Sequence, residues 1–181
     1  MLTIVIPETE YWDELKNEFI TVKECTLQLE HSLLSLSKWE SKWCKLFLSK
    51  QDKSYEETID YIKCMTINQN VDPNVYTRLT KANIDEINEY IAAPMTATTI
   101  SNTGTGKGSG EQVSSELIYY WMISLQIPFD PCQKWHLNRL LTLIKVCNVK
   151  NEPPKKMSKR ALASRNASLN AARRKKFNTN G

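Results

Sequence analysis

The sequence has no cysteine pairing to build on. Its five cysteines, Cys25, Cys44, Cys64, Cys132 and Cys147, are odd in number and scattered, with no Cys-x-x-Cys among them. That usage fits reduced thiols in a cytoplasm and argues against a disulfide framework. No apolar run approaches the ~18 residues that would suggest a membrane span. The start, Met-Leu-Thr-Ile-Val-Ile-Pro-Glu, turns acidic at once and does not resemble a signal peptide. Glycine is scarce as well, and four of the five glycines fall within residues 101–112. A flexible surface loop is expected there. Gly106-Lys107 does not make it a phosphate-binding loop. Ser101 stands where the first glycine belongs, Gly108 stands where a hydroxyl must reach magnesium, and no buried strand precedes it.

Catalytic and metal-binding patterns are missing too. Cys132 and His136 lie four apart, and Cys147 and His31 could join them, but no second ligand pair sits at a recognisable interval. Cys147 reads as a buried thiol on an apolar face and His136 as a hydrogen-bonded rim residue. No glycine-framed elbow surrounds a serine or cysteine. The acids lie mostly in first helical turns, where they complement the helix dipole. The sequence therefore predicts a protein without catalytic residues, metal or cofactor.

What the chain does have is a concentrated apolar stretch, Ser114–Val149, which reads as two helices joined by a tight turn. Ser114 or Ser115 caps the first, with Leu117, Ile118, Trp121, Met122 and Leu125 at helical spacing. Pro128 stops it. Asp130, Pro131 and Gln133 form a capping box for the second, which carries Trp135, Leu137, Leu140, Leu141, Ile144 and Val146. This hairpin is the expected core. Its rings outnumber what one inward face can hold, so Tyr119, Tyr120, Trp121 and Trp135, with Arg139, are the candidate protein-binding residues.

Upstream, Leu2–Ile6, Phe19–Val22 and Thr26–His31 read as strands of a small antiparallel sheet. Glu8–Asn17, holding Tyr11, Trp12 and Leu15, reads as a turn or short helical piece. Such a sheet needs helices on one face. Capping boxes at Ser37–Glu40, Ser54–Glu57 and Asn83–Glu86 each predict a short helix, and Asp72-Pro73 another through Leu79. The first should align Trp39, Trp43 and Leu46 or Phe47. The second should turn Tyr55, Ile59, Ile62 and Met65 inward, and Ile84, Ile87 and Ile91 should share a face of the last, which Pro94 ends. The fold class is α+β, mainly α, with a small N-terminal antiparallel sheet, several short helices, a C-terminal helical hairpin and a basic tail.

Charge divides the chain. Residues 150–181 hold ten Lys and Arg against the single acid Glu152, a charge of +9, which leaves −5 for residues 1–149 of the +4 total. Asn151-Glu-Pro-Pro marks the boundary between a domain over 1–151 and a tail over 152–181, expected to be marginally helical or disordered. Lys155, Lys156, Lys159, Arg160, Arg173, Arg174, Lys175 and Lys176 would contact phosphates weakly and without specificity. Docking of the tail on an acidic protein surface explains them equally well.

The segments Glu30-His-Ser-Leu33 with Ser37-Lys-Trp-Glu40, Ala93-Pro-Met-Thr-Ala-Thr-Thr99, Tyr120-Trp-Met122 with Ile127-Pro-Phe129, Trp135-His-Leu-Asn-Arg-Leu-Leu-Thr-Leu-Ile144 and the Asn170–Lys176 tail together resemble small proteins of phages and prophages. The resemblance is to tail assembly chaperones of long-tailed phages and runs from about Leu27 to Gly181. It implies a helical, non-enzymatic protein of the host bacterial cytoplasm. Such a protein coats the tape-measure protein before the tail tube polymerises around it. Contact with the major tail protein and self-association are further expectations of that role. A nucleic-acid-binding accessory protein acting through the basic tail, and a structural head–tail or tail component, are the alternatives.

Overall fold

The computed structural model describes residues 1–14, 17–99, 112–151 and 158–178, with Tyr11 and Asp13 described only in their backbone. The expected loop over residues 101–112 (all but Gln112), the side chain of Leu15, and Lys155 and Lys156 lie outside the described residues. The chain divides into two compact units, Met1–Val149 and Lys150–Gly181. The fold is α+β and mainly helical.

The first unit opens with strands β1 (Leu2–Ile6), β2 (Thr9–Asp13), β3 (Glu18–Val22) and β4 (Cys25–Leu29). They form two separate antiparallel ladders, β1 with β4 and β2 with β3, where one small sheet was expected. In the first, Leu2 pairs with Leu29, Ile4 with Leu27 and Ile6 with Cys25. The period-two alternation puts Ile4, Ile6, Leu27 and Leu29 on one buried face. The free edge of β4 is covered by residues 65–68, through Glu30 N–H to Met65 O and Ile67 N–H to Gln28 O, both 2.9 Å. Strand β2 occupies the stretch expected to be a turn or helical piece, while β3 matches the strand expected over Phe19–Val22. Trp12 is paired across it with Phe19, ring centroids 4.9 Å apart and both rings exposed. That cross-strand ring pair holds a hairpin whose first strand, Thr-Glu-Tyr-Trp-Asp, looks polar by itself.

Helix α1 (Leu33–Trp43) starts four residues before the expected box. Ser32 is its N-cap and exchanges bonds with Ser35, so Ser37 and Glu40 lie inside the helix. Cys44 ends it in the left-handed region, and Phe47 is buried from the following loop rather than from the helix. Helix α2 (Tyr55–Met65) has the expected Ser54–Glu57 box, but Tyr55 at its first position is exposed, while Tyr61, Ile62 and Met65 face inward. A 3-10 turn, Pro73–Arg78, is capped by Asp72. Helix α3 (Lys81–Ala92) is capped by Thr80 with Asn83, one turn before the expected box, and buries Ile87 and Tyr90.

The hairpin expected at the centre is built differently. Helix α4 (Ser115–Ser124) is capped by Ser114. The chain then turns through Gln126, in the left-handed region, to the single turn α5 (Phe129–Cys132). Asp130 is non-helical and caps nothing, and α6 (Leu137–Asn151) begins six residues later than expected. Trp135 and His136 thus precede the helix. Nor do the two hairpin helices form the core alone, since α4 packs more extensively on α1 than on α6. The core is shared by the β1–β4 face, α1, α2, α4 and α6, with Leu27, Leu29, Leu33, Leu36, Ile118, Met122, Leu137 and Leu140 fully enclosed.

The second unit contains α7 (Lys159–Phe177), capped by Ser158 and closed by Asn178 in the left-handed region. Its Ala, Leu, Lys and Arg all favour helix. No residue of α7 is buried.

Candidate functional site

Two polar assemblies fix the helices that carry the candidate residues. In the first, the buried Glu40 side chain reaches out of α1. Its Oε1 accepts from Phe47 N–H at 3.0 Å and its Oε2 from Ser115 N–H at 2.7 Å. A carboxylate at the N-terminus of α4 satisfies a donor that has no partner within the helix and favours the local dipole. Glu40 therefore sets where α4 begins and where the loop after α1 turns.

The second assembly ties β4, α3 and α6 together. His136 is buried, not a rim residue. Its Nε2 lies 3.0 Å from Tyr90 O and its Nδ1 accepts from Asn138 N–H at 3.3 Å. A carbonyl can only accept, so Nε2 carries the proton and the ring is neutral. Leu137 N–H donates to His31 O at 2.7 Å. Asn138 Nδ2 donates to Ile91 O and Ala93 O at the end of α3. His31 stacks edge-on to His136, ring centroids 5.1 Å apart, and shares a hydrogen bond with Tyr61 Oη. Burial, reinforced by the neighbouring His136, pushes the His31 pKa down to about 3. Burial also lowers His136, against the raising effects of the Tyr90 carbonyl and Glu30. Tyr90 Oη donates to Glu30 Oε1 at 2.7 Å, and burial raises its pKa. The neutral His136 ring thus joins the end of α3 to the start of α6, while the His31 ring is held by Tyr61 and its carbonyl meets the first N–H of α6. Among the described residues no group of three or more His, Cys, Asp and Glu side chains is placed to hold a metal.

Held by these anchors, α4 turns its apolar surface in several directions. Of residues 117–125 only Ser124 is polar, so a single inward face cannot absorb them. Ile118 and Met122 fill the core, whereas Tyr120 is 62% and Ile123 63% exposed. Tyr119 is half-buried, edge-on to Phe129 at 5.3 Å, with its Oη 3.4 Å from Gln133 Oε1. Trp121, two positions on, faces an open groove of about 930 Å³. The groove is assembled from the loop after α1 (Leu46, Leu48, Lys50), the approach to α4 (Val113) and one side of α6 (Leu141, Lys145). Lys45, Lys50 and Lys145 lie along it, and no carboxylate is among its described lining residues. Lys45 is bonded to Glu57 of α2. The apolar surface thus runs from Trp121 in the groove, over Tyr120 and Ile123, to Tyr119 and Phe129.

Of the residues singled out in the sequence, Tyr119, Tyr120 and Trp121 share this surface. Trp135 and Arg139 pair with each other, the guanidinium 4.3 Å from the ring centroid, and neither lines the groove. Lys159, Arg160, Arg173, Arg174, Lys175 and Lys176 are exposed on α7. Sequence reasoning missed Ile123 and Phe129, although an all-round apolar α4 is itself a signal of surplus surface. It also missed Leu46, Leu48, Lys50, Leu141 and Lys145, which no local pattern connects. No protein-family model, no curated protein and no solved structure matches the chain.

Proposed function

We propose that this chain is a non-enzymatic tail assembly chaperone of a long-tailed phage, covering the tape-measure protein in the host bacterial cytoplasm until the tail tube takes over. The reading is carried by one observation: Tyr120 and Ile123 stand in solvent beside the open, lysine-flanked groove at Trp121. Exposed apolar side chains clustered around a concave surface favour contact with another polypeptide. A groove with an apolar floor suits the apolar stripe of a helix, and the ammonium groups of Lys50 and Lys145, which have no ion-pair partner among the described residues, suit carboxylates beside that stripe. A tape-measure protein is a long helical polymer with much apolar surface, which aggregates when bare. The resemblance of the Tyr120–Phe129 and Trp135–Ile144 segments to tail chaperones points to the same partner. Release is part of the role, so a modest contact repeated along the polymer serves better than one tight site.

Co-expression with the tape-measure protein of the same genome tests the proposal. The tape measure is expected to stay soluble with the native chain and to precipitate with the Tyr120→Ser/Ile123→Ser variant. Precipitation in both cases would count against a chaperone.

A further inference from the structure

We propose that α7 binds double-stranded DNA by lying in its major groove, an activity separate from polypeptide binding by the first unit. The helix has 19 residues, roughly 28 Å of length at 1.5 Å per residue. It carries Lys159, Arg160, Arg165, Arg173, Arg174, Lys175 and Lys176 and no acid, and none of its side chains is buried.

The arrangement of those cations selects the partner. Successive residues on an α-helix are about 100° apart, so the Arg173–Arg174 and Lys175–Lys176 pairs point about 160° from each other. Lys159 lies with the first pair and Arg165 with the second, so charge surrounds the axis. A bilayer or a flat acidic protein surface would engage one side only. Leu162 and Leu169 share a side, but Arg165, Arg173 and Lys176 lie within about 60° of them, so no apolar face exists to enter a membrane. In the major groove of B-form DNA, ~12 Å wide, phosphates flank a helix on both sides. Cations on opposite faces are then satisfied together. Between Arg160 and Arg173 the residues are mostly Ala, Ser and Asn. The side midway between the two sets, through Arg160, Ser164, Ala167 and Ala171, is mostly small and lets the axis approach the base edges, where Arg160 and Ser164 have donors to pair with bases. The major groove of A-form RNA is too narrow for this.

The test is fluorescence anisotropy with the full chain and a labelled 24-base-pair duplex over a salt series. Contacts from most of the seven cations give a slope of log K against log salt of about −5, at roughly −0.9 per neutralised phosphate. Arg173→Gln/Arg174→Gln and Lys175→Gln/Lys176→Gln should each flatten the slope by about 1.8. An unchanged far-UV circular dichroism spectrum will show that the helix is intact in both. A response to only one pair would overturn the proposal. So would tighter binding to the single strand of the same sequence, or equal capture by vesicles containing phosphatidylserine.

Discussion

Lowering the pH from 7 to 5 should destabilise the first unit through its buried histidines before most carboxylates titrate. The His31 pKa is about 3 in the folded protein, against 6.5 for the unfolded chain. Above pH 6.5 both states are neutral at this ring and nothing is lost. Below it only the unfolded chain takes up the proton, so stability falls as the pH drops and stops falling near pH 3. One pH unit corresponds to 1.36 kcal/mol, so by pH 5 the loss from His31 is about 2 kcal/mol. His136 is shifted the same way and adds to it. Glu57 and Asp60, held low by their lysine partners Lys45 and Lys42, contribute chiefly below pH 4.5. Urea unfolding at pH 7, 6 and 5 measures the slope directly, and His31→Asn should remove most of it whatever its effect at pH 7. Proton NMR of the rings gives a second readout, in which His31 should not titrate above pH 5. A flat stability profile, or a His31 midpoint near 6.5, would refute the reasoning.

Other substitutions separate anchors from exposed surface. Glu40→Gln keeps the shape but weakens the bonds to Phe47 and Ser115, and should cost about 1.5–3 kcal/mol in urea unfolding. Leu36→Ala, at a side chain with no exposure, should cost about 2–5 kcal/mol in the same assay. Tyr120→Ser and Ile123→Ser should each change stability by no more than about 0.5 kcal/mol, because both side chains already meet water. In co-sedimentation with a tape-measure fragment, the same two substitutions should abolish binding.

Local patterns made part of this fold legible. The alternation over Leu2–Ile6 gave β1 its bounds, and Ser54 with Glu57 gave the start of α2, because both signals are complete within a few residues. The errors arose where a partner far along the chain decides. Ser37 with Glu40 looks like a better capping box than Ser32 with Ser35, but Glu40 is occupied by Ser115, 75 positions on. Asp130-Pro131 with Gln133 imitates a helix start, yet the N–H groups that open α6 are met by His31 and by His136. The polar look of residues 8–17 hid β2, whose Trp12 makes sense only opposite Phe19. The surplus of rings on α4 was visible from composition. The groove beside them was not, since it joins segments near residues 46, 113 and 141 that share no motif.

The most direct measurement of the central claim is photocrosslinking in cells that express the whole tail operon. A benzophenone amino acid replaces Tyr120 in one strain and Tyr55 in another, both positions being exposed. The account predicts that Tyr120 crosslinks to helical segments of the tape-measure protein, identified by mass spectrometry, while Tyr55 does not. Equal yields at the two positions, or no tape-measure peptide at Tyr120, would contradict it.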